Sequence, residues 1–131
     1  MGATSNLGRK TTEINDTLDS IVIVNALGDV PGGRTLDVSG VAEGATVIAA
    51  GHVIVKTSAG AYKPLGVSGT AYAAIAAGET AIGILKASVL VSDPRAAIMT
   101  IGQVNAAAAA KAVGAPYTEA IKTALPHIQF I

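Results

Sequence analysis

Short apolar runs, none longer than the seven residues of 71–77 and most of them closed within a few positions by glycine or proline, constrain this chain more than any other feature. Ile21-Val22-Ile23-Val24 sets β-branched residues side by side, and their stiff χ1 angles favour a strand. Pro31-Gly32-Gly33 reads as a turn, with proline presetting φ at the first central position and glycine supplying positive φ at the second. Residues 35–38 then read as a short strand, and Gly40 and Gly44 bracket another turn. From Thr46 to Gly83 the pattern is that of a β meander: a strand over 52–56, a polar hairpin connection over 57–60 and a returning partner over 61–65. Pro64 has no N–H for a ladder, so that partner is expected at a sheet edge. Residues 66–78 are Ala-rich and weakly patterned, which predicts a loop with a helical turn. Residues 81–85 predict a strand whose central Gly83 admits a bulge or a close backbone approach. Two more strands, 89–91 and 97–101, are expected to join through the turn Ser92-Asp93-Pro94-Arg95.

Helical character is confined to the last quarter of the chain. Asn105 can cap a helix over 106–113, Gly114 suits the position just past its end, and Pro116 stops its continuation. A second helix is predicted from Pro116 to Leu125, with Tyr117, Ile121, Ala124 and Leu125 on one face. Ile128-Gln129-Phe130-Ile131 alternates as a closing strand. The expected fold class is mainly β (α+β), with short C-terminal helices.

The first twenty residues differ from the rest. They are polar, hold five of the eighteen charges and show no sustained period, which fits an arm that orders on a partner or a plain unstructured terminus. The expected division is an extended N-terminal arm over 1–24 and a single domain over 25–131. Half of the 131 residues are hydrophobic, but only 14% are charged and 3% aromatic. An ordinary domain carries about 25% charge, so part of this surface is expected to be covered by partner subunits, whose obligate contacts are apolar and charge-poor.

The same figures exclude function classes. Net charge is zero, and the one adjacent basic pair, Arg9-Lys10, has no aromatic platform nearby, so nucleic-acid binding is not expected. The uncharged stretch from Ala96 to Ala110 is too short for a membrane span and is interrupted by Thr100, Gly102, Gln103 and Asn105. No secretory signal or myristoylation pattern is expected at the N-terminus. With no cysteine there is no disulfide, thiolate nucleophile or zinc-thiolate site.

Catalytic equipment is sparse. His52 and His127 are the only histidines, and neither lies in a nucleophile motif. His52 is expected to pack or face solvent within its strand, and His127 to sit past the last helix, where positive charge is favoured. Glu13, Asp16 and Asp19 follow at three-residue spacing, which reads as a solvated acidic stripe rather than a metal site. Gly28 to Gly33 lacks the Lys-Ser/Thr ending of a phosphate loop. No catalytic residue, metal ligand or cofactor is expected, and the chain reads as a non-enzyme.

The segments AGHVIVKTSAGAYKPL (50–65) and AIGIL (81–85), a further strand pair and an Ala-rich region with a final helix and strand follow one another in an order that resembles the lambda-type phage head decoration proteins. That family carries an AG-x-V-L strand, a polar hairpin with Tyr-Lys and an A-x-G-I-L strand in this order. LGDVPGGRTLDVSG (27–40) and PYTEAIKTALPHIQFI (116–131) are more similar to head-fibre and auxiliary capsid proteins of Bacteroidetes-infecting phages. The resemblance implies a compact β-tulip or β-clip-like domain, working as a homotrimer on the outer face of the major capsid protein lattice. It implies a virion protein, assembled in the host cytoplasm, that cements the shell against internal pressure. In the lambda-type proteins the N-terminal segment adds to a strand of the shell protein, a mode in which main-chain hydrogen bonds give affinity. This arm does not match theirs in sequence, so the role passes by position and chemistry to Thr11, Thr12, Ile14, Leu18, Ile21, Val22, Ile23 and Val24 as capsid-binding candidates. Two other readings compete: a head-fibre base attaching to host surfaces or glycans, for which Tyr62, Tyr72, Tyr117 and Phe130 are the only aromatic candidates, and a small β-clip-like enzyme.

Overall fold

The computed structural model describes residues 18–41 and 43–131. A single helical turn, α1 (Asp19–Val22), leads into β1 (Ile23–Asp29), followed by β2 (Arg34–Thr35), β3 (Val47–Ile48), β4 (Val53–Lys56) and β5 (Tyr62–Pro64). Then come β6 (Val67–Ser68), β7 (Ala71–Tyr72), β8 (Thr80–Leu85), β9 (Val89–Leu90), β10 (Arg95–Ala96) and β11 (Ile98–Val104). The chain closes with α2 (Ala106–Val113), α3 (Glu119–Ala124) and β12 (Ile128–Phe130). The protein is mainly β, in an α+β arrangement with short C-terminal helices.

The main sheet runs β1-β11-β8-β4-β5, with β12 parallel to β11 on the side away from β1. Its central strands are covered on both faces, and their sequence shows why this is possible. Successive strand residues point to opposite faces. Val53 and Val55 of β4 therefore enter one core with Ile84, Met99 and Val104, while Ile54 enters a second with Leu85 and Ile98. The first core is closed by Ala108, Ala109 and Ile121 from the helices; the second by Leu36, Ile48 and Ala96 from or beside the ribbons β2–β10 and β3–β9. Hence Val53, Ile54 and Val55 are all fully buried without alternating with polar residues. Gly83, paired with Ile54, meets the expectation of close approach: a Cβ there would collide with the carbonyl of Met99 on β11.

Local signals are matched closely. Asn105 accepts a hydrogen bond from the Ala108 amide at 3.2 Å, and Gly114, at φ 88°, closes α2 over the predicted span. The β4–β5 hairpin forms, and Pro64 lies on an edge strand. The Pro31-Gly32 turn is closed by the Gly33 amide bonding to Val30 O at 3.1 Å.

Other expectations are corrected. Ile21 and Val22 are helical, so the strand starts at Ile23. Residues 66–78 hold a small hairpin, β6–β7, rather than a helical turn. Strands 89–91 and 97–101 do not form a hairpin: β9 pairs with β3 and β11 with β8 and β1. The strand expected over 35–38 shrinks to β2, held by β10. The second helix begins at Glu119, because Thr118 takes the cap by accepting from the Ile121 amide at 3.3 Å. Ala124 consequently lies exposed rather than on the buried face with Tyr117, Ile121 and Leu125.

Candidate interaction surface at the β1 edge

The chain enters the described fold through a pinned root. Leu18 O accepts from the amides of Ile21 and Val22 at 3.0 and 2.9 Å, closing one helical turn. The Asp19 carboxylate accepts from Ser88 N at 2.8 Å and from Ser88 Oγ at 2.7 Å, and Ser88 Oγ accepts from Ala50 N at 3.0 Å. Val22 is fully buried, and its carbonyl accepts from Asn105 N at 2.8 Å, joining the root to the start of α2. Gly51 makes room for this contact: a Cβ there would lie 2.9 Å from both Val22 Cγ1 and Ala109 Cβ. The four β-branched residues in a row thus divide between a helical turn and a strand at a root held in part by Asp19, whose partner Ser88 lies 69 residues away.

Beyond the root, and among the described residues, β1 pairs with β11 on one side only. The register matches Ile23 to Val104, Asn25 to Gln103, Ala26 to Gly102 and Gly28 to Ile101, which leaves Val24 and Leu27 without partners. Each is the extra residue of a bulge, and bulges re-aim side chains while disturbing the ladder. Val24 is 50% exposed and Leu27 70% exposed, and Ile101, whose side chain covers Gly28, is also exposed. From Ser20 to Gly28 and from Ile101 to Asn105 there is no charged residue, and at the far end of β1 Asp29 is neutralised by Lys86 at 2.8 Å.

Of the expected capsid-binding residues, Thr11, Thr12 and Ile14 lie outside the described residues. Leu18 packs against the first core and Val22 belongs to it. Ile23 is half-buried against the same core. Ile21 and Val24 are exposed. Leu27, the most exposed large apolar residue of the group, was missed; only its neighbour Gly28 hints at irregular backbone, and hydrophobic period carries no sign of a bulge. Asp19, expected on a solvated stripe, instead holds Ser88.

His52, Tyr72 and Tyr117 form a connected group inside the fold. His52 Nε2 lies 2.6 Å from Leu65 O, and burial pushes the imidazole pKa below its ordinary value. Its ring meets Tyr72 edge-on, Tyr72 stacks with Tyr117, and Tyr117 donates to Gly51 O at 2.5 Å. Burial raises the pKa of both phenols. This line of rings ties the approach to β4 to the segment before α3. A cleft of about 430 Å³ beside His52 is lined mainly by aliphatic residues such as Val47, Leu65 and Val113. His127 is exposed after α3. Among the described residues no three His, Asp or Glu side chains converge as a metal site, and no helix is long and apolar enough to cross a membrane.

No protein-family model, curated protein or solved structure matches this chain.

Proposed function

We propose that this protein is a non-enzymatic decoration protein that cements the outer surface of a phage head, working as a homotrimer on the major capsid protein. The observation that supports this reading best is the pinned root. An arm that holds a subunit against a shell needs a base that does not give. Residues 1–17 join the domain at a turn locked to Ser88, Ala50 and Asn105 by hydrogen bonds of 2.7–3.0 Å. The resemblance in residues 50–65 and 81–85 supplies the words phage and capsid.

In this reading the shell contact falls to Thr11, Thr12 and Ile14, with Leu18 and Val22 as its anchors. Strand addition onto β1 itself is disfavoured, because two bulges spoil the outer edge as a template. The adhesion alternative finds little support: Tyr72 and Tyr117 are buried, and Tyr62 is occupied by Arg34 and Lys56 near its ring.

Co-sedimentation with expanded and unexpanded empty heads tests the proposal, using the full chain and a chain lacking residues 1–17. The truncation keeps every residue of α1 and of the two core clusters described above. The full chain is expected to sediment with expanded heads and the truncated chain to stay in solution. Equal binding by both ends the arm assignment, and binding by neither ends the decoration reading.

A further inference from the structure

We infer that the bulged β1 edge is the contact between copies of this chain, made by side chains of Val24 and Leu27 rather than by strand addition. This rests on, and adds a surface to, the multimeric decoration reading above.

Three observations lead to a second copy as the occupant. The first is what the bulges do. An edge strand is ordinarily blunted with charged residues, proline or bulges that deny a neighbour its ladder. Here the bulges deny the ladder, yet the residues they push outward are Val24 and Leu27 instead of lysine or glutamate. The edge is closed to an added strand and open to apolar packing.

The second is charge. When a patch meets a copy of itself or a neighbouring part of the same surface, its own charges are set against one another. This patch carries none from Ser20 to Gly28 or from Ile101 to Asn105, and its polar residues Asn25 and Gln103 are neutral. Its boundary charge, Asp29, is already matched by Lys86, so copies meeting here face an ion pair of both signs. A partner of strong single-sign charge would find no complement on this surface.

The third is concentration of exposed apolar groups. Of the six large apolar residues exposed among the described residues, Ile21, Val24, Leu27 and Ile101 belong to α1, β1 or the strand paired with it, whereas Val67 lies apart on the β6–β7 hairpin and Ile131 follows β12. Exposed apolar groups gathered in one place mark contact sites more often than scattered ones do.

The test is the mass of the full chain in solution, by size exclusion with light scattering, for the wild type, Val24→Asp, Leu27→Asp and Val67→Asp. The wild type and Val67→Asp are expected to run as the same multimer. Val24→Asp and Leu27→Asp are expected to run as single chains with wild-type circular dichroism, since both side chains are already exposed. A monomeric wild type, or a Leu27→Asp multimer of unchanged mass, overturns the inference. Head co-sedimentation of the same proteins separates the two proposals: loss of self-association with residual head binding supports the contact assigned here. Multimers that never bind heads leave this contact standing and remove the decoration role.

Discussion

Two runs of the same chemistry meet opposite fates in this molecule. Val53-Ile54-Val55 lies in β4, hydrogen-bonded to β8 and β5 and covered on both faces, and all three side chains are fully buried. Ile21-Val22-Ile23-Val24 divides between a helical turn and an edge strand, and within these four residues exposure runs from none at Val22 to about half at Ile21 and Val24. Composition does not separate the runs; neighbours do. A strand flanked on both sides and sandwiched between two cores has a place for every apolar side chain. A strand flanked on one side, with bulges, turns some of them to solvent.

The largest expected effect lies at the centre of the buried run. Ile54→Ala removes a side chain packed among Leu85 and Ile98 and should cost about 2–5 kcal/mol of unfolding free energy in a urea titration. A loss under about 1 kcal/mol would show that the second core tolerates collapse and would break the comparison. Next is Gly83→Ala, which forces a methyl against the Met99 carbonyl and should destabilise by about 1–3 kcal/mol, read by the same titration.

The N-terminal run itself should split. Val22→Ala should cost about 1–3 kcal/mol, whereas Ile21→Ala and Leu27→Ala should each stay within about 0.5 kcal/mol for the isolated chain. Equal losses at Val22 and Ile21 would mean that α1 does not hold its place in solution.

A smaller, pH-dependent effect sharpens the contrast, because β4 has a titratable group at its approach. Unfolded, His52 titrates near 6.5, and burial holds the folded value lower. The unfolded chain therefore takes up this proton first as pH falls. The stability tied to neutral His52 is complete above about pH 6.5 and is lost as the pH drops through the lower folded value. Melting temperature should fall as the pH is taken below about 6.5 in the wild type and fall less in His52→Gln. Parallel curves for the two proteins would remove His52 from the account. The carboxylates of Asp37, Glu79 and Asp93, held low by Ser39, Lys63 and Arg95 respectively, act in a more acidic range.

Much of the fold was legible where its causes are local. Asn105, Gly114 and Pro116 bound α2 because a cap, a left-handed residue and a missing N–H act within a turn of their own position. The β4–β5 hairpin and the edge position of Pro64 follow from turn chemistry and a missing donor. The sequence marks short strands at 35–38 and 89–91, but the pairings β2–β10 and β3–β9 were not legible, since each partner lies some 40 to 60 residues away and two-residue strands have no period to specify it. The interaction surface was half legible. Ile21 and Val24 stood out as apolar residues near the N-terminus, while Leu27 needed the register against β11 to be seen.

Short strands, a capped helix, a low charge content and an apolar run after a polar N-terminus can all be read along the chain. Each depends on backbone preference or side-chain chemistry within a few residues. Which apolar residues are core and which are surface is settled by packing between distant segments. Burial depends on what lies across the sheet and beside the strand: Val22 packs into the first core beside Gly51 and Ala109, and the mismatch of β1 with β11 leaves Val24 and Leu27 outside.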